Sequence, residues 1–230
     1  MVRSMLDWQS AGNIADAFLL VYAGLFPIVD PVSSAPLFVR LTRSAAQQER
    51  PALARAVAVN SFALLLGSMV VGSHVLAFFG ITLPILRVGG GLVVAALGWK
   101  LLQEGDDNQP GDPLAMKKTA QPGRAVDAFY PLTMPLTVGP GSMSVAITLG
   151  SQWPVTRDHI GELALIAAGA LGGLIAMAIT IYVCYRYSDY IVRRLGPHGT
   201  NVMMRLSAFI LFCIGIQIIW NGVSALIGKG

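Results

Sequence analysis

The sequence predicts an all-α membrane protein that crosses the bilayer with six helices. Of its 230 residues, 54% are hydrophobic and 12% are charged, and the mean hydropathy is +0.64. A soluble domain carries about 25% charged residues, so this chain has roughly half the usual share. Six apolar stretches are each near the ~20 residues that cross the hydrocarbon core of a bilayer. The composition excludes a disordered chain, a nucleic-acid-binding module and a typical cytosolic enzyme.

Four of the six stretches are nearly continuous apolar runs, and each predicts one transmembrane helix: residues 56–81, 83–102, 160–182 and 203–227. Residues 13–41 and 128–149 are also apolar, but prolines interrupt both. No small-residue cleavage pattern follows a short apolar core at the N-terminus. We therefore expect the first stretch to be an uncleaved membrane anchor.

Basic residues alternate between the connections, which predicts the orientation of the chain. The first, third and fifth loops hold twelve Lys and Arg residues, whereas the remaining connections and the two termini hold four. Cytoplasmic loops of membrane proteins carry the excess of Lys and Arg. The odd-numbered loops are therefore predicted to be cytoplasmic, and both termini to lie on the periplasmic or extracellular side.

The third loop, residues 104–127, is rich in Pro, Gly and Asp and is predicted to be a flexible cytoplasmic linker between two repeats. Residues 1–103 and 128–230 each contain three predicted spans, and matching features recur about 110 residues apart. Since three is an odd number, the two repeats must have opposite orientations, an arrangement that recurs in secondary transporters. The matched positions are Pro27 with Pro135, Asp30-Pro31 with Gly139-Pro140, Ser33 with Ser142, Gly80 with Gly196 and Arg87 with Arg205.

The first span of each repeat is predicted to be a broken helix. A proline inside a helix removes a hydrogen bond and costs about 3 kcal/mol, and it disfavours helical geometry at the preceding residue. Gly139 and Gly141 add conformational freedom. Unwound chain survives at membrane depth only inside protein or beside a water-filled cavity, so both breaks predict a shared substrate site. The candidate binding residues are Asp30, Pro31, Ser33, Ser34, Gly139, Pro140, Gly141, Ser142 and Asn60.

Two of these candidates have alternative interpretations. Asp30 is the one acidic residue deep within a predicted span, and it could hold a substrate ammonium or carry a proton. It could equally cap the helix that restarts after it, through the N–H groups of Ser33 and Ser34. Asn60 is of a residue type that more often hydrogen-bonds between membrane helices than binds a ligand.

The sequence indicates no metal site, no cofactor and no enzymatic activity. His74, His159 and His198 share no metal-ligand spacing, and the two cysteines lie in apolar stretches. The Ser142 segment lacks the following glycine and the strand–turn–helix setting of a nucleophile elbow.

Three segments resemble the MarC family of bacterial inner-membrane proteins. They are LFPIVDPVSSAPLF, LRVGGGLVVAALGWKLL and FYPLTMPLTVGPGSMSVAITLG, and the length and number of spans agree over nearly the whole chain. The family more often has Asn-Pro-x-Gly where this chain has Asp30, Pro31, Val32 and Ser33. The resemblance implies a multi-pass protein of the bacterial inner membrane, and some relatives are implied to move small neutral amino acids with an ion gradient.

The sequence therefore predicts a transporter of small solutes, such as glycine or alanine, that works by alternating access around the two breaks. Its expected partners are the lipid bilayer, the solute and a coupling proton or sodium ion; the oligomeric state is not predicted. The alternative hypothesis is a non-transporting membrane scaffold whose breaks are structural and whose loops bind other proteins.

Overall fold

The computed structural model describes residues 14–43, 45–46, 48–103, 127–151 and 160–228. Secondary structure within these ranges consists of helices, which we number in chain order: α1 (Ile14–Val29), α2 (Pro31–Leu41), α3 (Arg50–Phe78), α4 (Leu83–Gln103), α5 (Ala128–Thr137), α6 (Pro140–Ser151), α7 (Ile160–Arg186) and α8 (Ser188–Ile227). The protein is all-α in its described part, as the sequence predicts. Apart from Asp127, the predicted linker at 104–127 lies outside the described residues.

Five helical stretches in the described part are long and apolar enough to cross a membrane: Ile14–Val39, Arg50–Phe78, Leu83–Gln103, Ala164–Arg186 and His198–Ile227. The remaining predicted span corresponds to α5 and α6. These helices have 10 and 12 residues, so neither alone reaches the ~20 residues that span the hydrocarbon.

Helices α4 and α8 pack antiparallel with their backbones in close contact. Gly98 of α4 lies against Phe212, whereas Gly222, further along α8, lies against Val88, earlier in α4. A side chain at either glycine would collide with backbone atoms of the opposite helix. Small residues at such crossings let membrane helices approach closely, and this shortens the distances over which dispersion forces act.

Helices α1 and α7 run parallel. Gly169 of α7 lies against Ile14, and Gly173, one turn later, lies against Phe18. Further along the same pair, the hydroxyl groups of Tyr22 and Thr180 are hydrogen-bonded at 3.1 Å. The two helices therefore advance together in the same direction.

Helix α6 runs antiparallel to α4. Gly141, at the start of α6, lies against Val94, and Ser144 lies against Gly90, one turn earlier in α4. The Ser144 hydroxyl also donates a hydrogen bond to the carbonyl oxygen of Leu86 at 3.3 Å. Helix α6 thus descends along α4 from near its middle toward its first turn.

Most of the packing in the described part joins residues 14–103 to residues 127–228. Helix α1 packs on α7, α2 on α7 and α8, α3 on α5, α6 and α7, and α4 on α6 and α8. One buried core runs through these contacts and includes Leu25, Leu65, Leu149, Met177 and Tyr185. The two predicted repeats are therefore interleaved, and the core lies between them.

Gly98 provides a test of the α4–α8 contact, with Gly89 as a matched control on the same helix. A Cβ at residue 98 would meet backbone atoms of Phe212 and Ala208, whereas a Cβ at residue 89 would have no heavy atom within 4 Å. We expect Gly98→Ala to lower the free energy of unfolding by about 1–3 kcal/mol, because the helices must separate to accept it. Gly89→Ala should leave stability unchanged or raise it slightly.

The measurement is reversible unfolding in mixed detergent micelles, followed by circular dichroism. Equal stabilities for the two variants would contradict close backbone contact between α4 and α8 at Gly98.

Candidate functional site

The first helix break lies at Asp30, between α1 and α2. Asp30 has φ 41° and ψ 63°, and it is the one non-glycine residue with positive φ in the described part. Pro31 follows as the first residue of α2 and disfavours helical geometry at residue 30. Asp tolerates the left-handed region better than most residues because its short side chain can hydrogen-bond locally. Its carboxylate accepts a hydrogen bond from the backbone N–H of Ser33 at 3.3 Å, so Asp30 caps α2.

Polar groups from three helices surround the Asp30 carboxylate. The hydroxyl groups of Ser33 on α2 and Ser207 on α8 lie within reach of it, and these two hydroxyls are hydrogen-bonded to each other. The thiol of Cys184 on α7 is close enough for a Coulombic interaction with the carboxylate. The Asp30 carboxylate at the first break is therefore partly buried and has hydroxyl groups of two helices near it.

The second helix break lies at Val138 and Gly139, between α5 and α6. Val138 is extended, with φ −118° and ψ 99°, and α6 begins at Pro140 as α2 begins at Pro31. The hydroxyl of Ser142 donates a hydrogen bond to the carbonyl oxygen of Gly139 at 2.9 Å, and only 2% of Ser142 is exposed. At each break a serine in the first turn of the restarted helix hydrogen-bonds a residue of the break. The N–H of Ser33 donates to the Asp30 carboxylate, and the hydroxyl of Ser142 donates to the Gly139 carbonyl oxygen.

Neither glycine at the second break has the positive φ that would require glycine. The glycines with positive φ in the described part are Gly80 and Gly196, and Gly139 is not among them. Gly141 lies inside α6, where a Cβ would collide with the side chain of Val94. The absence of a side chain at Gly141 therefore allows close packing of α6 on α4.

Helix α5 is irregular because prolines interrupt it. Tyr130 and Met134 each precede a proline and are extended, with ψ near 120°. The hydroxyl groups of Thr133 and Thr137 donate to backbone carbonyl oxygens five residues earlier, at 2.7 and 2.8 Å. Ser and Thr hydroxyls commonly satisfy backbone groups that prolines leave unpaired in membrane helices.

Tyr185 of α7 connects the two breaks. It is 1% exposed and stacks on Phe38 of α2, with ring centroids 4.5 Å apart. Its hydroxyl group hydrogen-bonds the Thr137 hydroxyl at 2.8 Å and also lies within reach of the Ser34 hydroxyl. One buried side chain therefore contacts both the first turn of α2 and the last residue of α5.

The structure thus brings only some of the predicted site residues together. Asp30, Ser33 and Ser34 cluster around the first break, and Tyr185 links them through Thr137 to the second. Pro31 and Pro140 define the ends of the breaks, whereas Gly141 faces α4. Asn60 lies apart on α3 and donates to the hydroxyl of Thr133 at 3.5 Å, which joins α3 to α5.

Sequence reasoning missed four members of this arrangement, namely Thr133, Thr137, Tyr185 and Ser207. The two threonines stand inside a proline-interrupted apolar run, which is a usable signal because such runs need side-chain donors. Tyr185 follows the predicted fifth span and resembles an ordinary interfacial aromatic residue. Nothing in the sequence near Ser207 points to the first break.

No group of three or more His, Cys, Asp and Glu side chains in the described ranges is arranged to hold a metal ion. The donors around the breaks are mainly hydroxyl groups, with a single carboxylate.

The model of MarC family integral membrane proteins matches residues 15–227, which includes both breaks and every described helix but the first residue of α1. This chain belongs to the MarC family. The inner membrane protein MarC of Salmonella typhimurium is 32% identical to it over 209 residues, covering 88% of this chain and 92% of that protein. The MarC proteins of Salmonella arizonae and Citrobacter koseri are 33% and 31% identical, with the same coverage. No solved structure matches the chain.

Membership of the MarC family and the five long apolar helices agree on the setting of this protein. Its relatives are named as inner membrane proteins, and its own helices are long enough to cross a bilayer repeatedly. This member of the MarC family is therefore a multi-pass protein of the inner membrane.

The Tyr185–Thr137 hydrogen bond can be tested with a double-mutant cycle. Tyr185→Phe and Thr137→Val each remove one partner, and a buried hydrogen bond of this kind contributes about 0.5–1.5 kcal/mol. We expect a coupling energy of that size between the two substitutions, measured by unfolding in detergent. Tyr22→Phe with Thr180→Val is the matched control, because that Tyr–Thr pair lies on the α1–α7 contact away from the breaks. Additive effects at Tyr185 and Thr137 would contradict the bond.

Proposed function

We propose that this protein is a secondary transporter of small neutral amino acids that works by alternating access around the two helix breaks. The observation that carries the proposal is that Tyr185 joins the two interrupted segments, since it hydrogen-bonds Thr137 of α5 and stacks on Phe38 of α2. Interrupted helices in a membrane typically form substrate and ion sites, because unwound backbone exposes N–H and C=O groups to a ligand. We propose further that a proton or sodium gradient drives transport.

The helix directions support six crossings. If only the five long apolar stretches crossed the membrane, α1 and α7 would be the first and fourth crossings and would run in opposite directions. They run parallel, and α4 and α8 run antiparallel. Both directions follow when α5 and α6 together supply one additional crossing between α4 and α7. The antiparallel packing of α6 on α4 agrees with this.

Two further features support an inverted repeat. Gly80 and Gly196, matched by sequence, have nearly identical φ angles of 68° and 66° and each precedes the last apolar helix of its half. Corresponding helices of the two halves also make corresponding contacts. In the second half α6 packs on α4 of the first half, and its counterpart α2 in the first half packs on α8 of the second. In that arrangement α1 and α2 together correspond to α5 and α6, and the two breaks are related by a pseudo-twofold axis.

The two breaks differ chemically in a way that suits a zwitterion. The N-terminus of α2 is already capped by the Asp30 carboxylate, so this break presents negative charge and hydroxyl groups to an ammonium group. The N-terminus of α6 begins with Pro140 and Gly141, and the amides of a helix N-terminus attract carboxylates. A small amino acid between the breaks would meet a complementary group at each end.

Substitution of Asp30 tests the site. The measurement is uptake of labelled glycine or alanine by proteoliposomes that contain the purified protein. Asparagine also caps helices well, so Asp30→Asn removes the charge and preserves the fold. We expect uptake to fall about tenfold or more, the size expected when a charged hydrogen bond to the substrate is lost. We also expect Gly139→Ala to reduce uptake, because it alters the second break. Asp16→Asn, at an exposed carboxylate in the first turn of α1, should transport normally.

Normal uptake by well-inserted Asp30→Asn and Gly139→Ala proteins would reject the site. Absence of uptake by the wild-type protein in an imposed proton or sodium gradient would favour the scaffold hypothesis instead.

The proposed orientation places both termini on the periplasmic side and residues 104–127 in the cytoplasm. An alkaline phosphatase domain fused after residue 230 should be active, and the same domain fused after residue 103 should be inactive. A green fluorescent protein at each position should give the opposite pattern. The proposal requires an odd number of membrane crossings between residues 103 and 230. Inactive phosphatase at both positions would place them on the same side and contradict it.

A further inference from the structure

We propose that Arg50 and Asp189 form a gate that closes the protein at one end, above the cluster at the first break. The inference rests on the proposed transport function, which it deepens by assigning a route and a closed side. Its observable is the accessibility of a native thiol, so it can be tested without measuring transport.

The ion pair joins the two halves of the chain. One terminal nitrogen of Arg50, at the start of α3, donates to both carboxylate oxygens of Asp189, at the start of α8, at 2.9 and 2.8 Å. Their side chains are 15% and 38% exposed, so the pair is partly shielded from solvent. Arg193, one turn along α8, donates through Nε to the backbone carbonyl oxygen of Asp189 at 3.1 Å.

The pair lies close to Tyr185 across the junction between α7 and α8. Asp189 follows Tyr185 by four residues, and the buried Ser188 between them donates to the carbonyl oxygen of Tyr185 at 2.7 Å. Tyr185 is itself buried and stacks on Phe38. The junction of α7 and α8 therefore holds a partly exposed ion pair next in sequence to a buried aromatic pair.

The Asp30 carboxylate lies near Tyr185 and Cys184. Both side chains are close enough to the carboxylate for a Coulombic interaction with its charge. Ser34, in the first turn of α2, lies near the Tyr185 hydroxyl. A solute that reached Asp30 from this end would have to displace Tyr185 from Phe38. That displacement requires movement of α7 and the start of α8 relative to α2 and α3, which the Arg50–Asp189 pair opposes.

An ion pair of this kind suits a gate because its contribution is modest. A partly exposed ion pair stabilises a structure only modestly, so it can bias a conformational equilibrium without fixing it. The pair also joins elements that belong to different repeats, and relative movement of repeats is the usual basis of alternating access.

Cys184 reports on the gate. In a Cys213→Ala background it is the one remaining cysteine, and a membrane-impermeant maleimide reports whether water reaches its thiol from each side. The label is applied to right-side-out and to inside-out vesicles in separate experiments. We expect slow labelling of the parent protein from the Arg50–Asp189 end, and about tenfold faster labelling from that end alone in Arg50→Gln and Asp189→Asn.

The charge-exchanged protein, Arg50→Asp with Asp189→Arg, should label slowly again because the pair is restored. Arg55→Gln is the matched control, since Arg55 is an exposed arginine on the same helix and should leave labelling unchanged. Monodisperse gel filtration and an unchanged melting temperature establish that each variant is folded. If either single variant fails this criterion, the comparison is made between the charge-exchanged protein and the double neutral variant, Arg50→Gln with Asp189→Asn.

Unchanged labelling in the folded neutral variants, or equal acceleration from both sides, would overturn the gate. A folded charge-exchanged protein that labels as fast as the neutral variants would overturn it too, because pairing would not be the cause. If labelling behaves as expected and no amino acid is taken up, the gate stands and the proposed substrate fails.

Discussion

Hydrocarbon offers no hydrogen-bond partners, so the polar groups at the two helix breaks must find their partners within the protein. At the first break, the Asp30 carboxylate accepts from the N–H of Ser33. In the irregular helix α5, the hydroxyls of Thr133 and Thr137 take up carbonyl oxygens. These polar side chains cannot face lipid themselves. Thr133 and Thr137 are accordingly buried within the helix bundle, and Thr137 is also hydrogen-bonded to Tyr185 of α7.

Close backbone packing determines where the breaks meet. Apolar helices gain little from associating in lipid, so their contacts depend on near approach at small residues. Gly98 brings α4 onto α8, Gly141 brings α6 onto α4, and Gly173 brings α7 onto α1. All three contacts join the first half of the chain to the second. The two interrupted segments are consequently held within one core, although more than a hundred residues separate them along the chain.

The parts of this architecture that depend on local rules were predictable from the sequence. Proline acts on its own helix and on the residue before it, so the break at Asp30 and the restart at Pro140 follow from their immediate neighbours. Tyr185 and Ser207 could not be predicted in this way, because only the packing of α7 and α8 brings them to the breaks. The apolar run at residues 128–149 predicts a sixth span, but the prolines divide it into α5 and α6, each too short to cross the bilayer alone. The proposal that they cross together therefore depends on the directions of the neighbouring helices, which hydropathy does not give.

The polar groups at the two breaks differ in how readily they could exchange hydrogen-bond partners. The Asp30–Ser33 hydrogen bond is 3.3 Å long, beyond the usual 2.9–3.0 Å for N–H···O bonds, whereas the threonine bonds of α5 are 2.7 and 2.8 Å. A longer bond is weaker, so a ligand ammonium could take over the Asp30 carboxylate at a smaller cost. Thr137 is also bonded to Tyr185, so changing its partners would disturb two helices at once. If the breaks bind a solute as proposed, rearrangement on binding should therefore concentrate at Asp30 and α2, whereas the second break should move less.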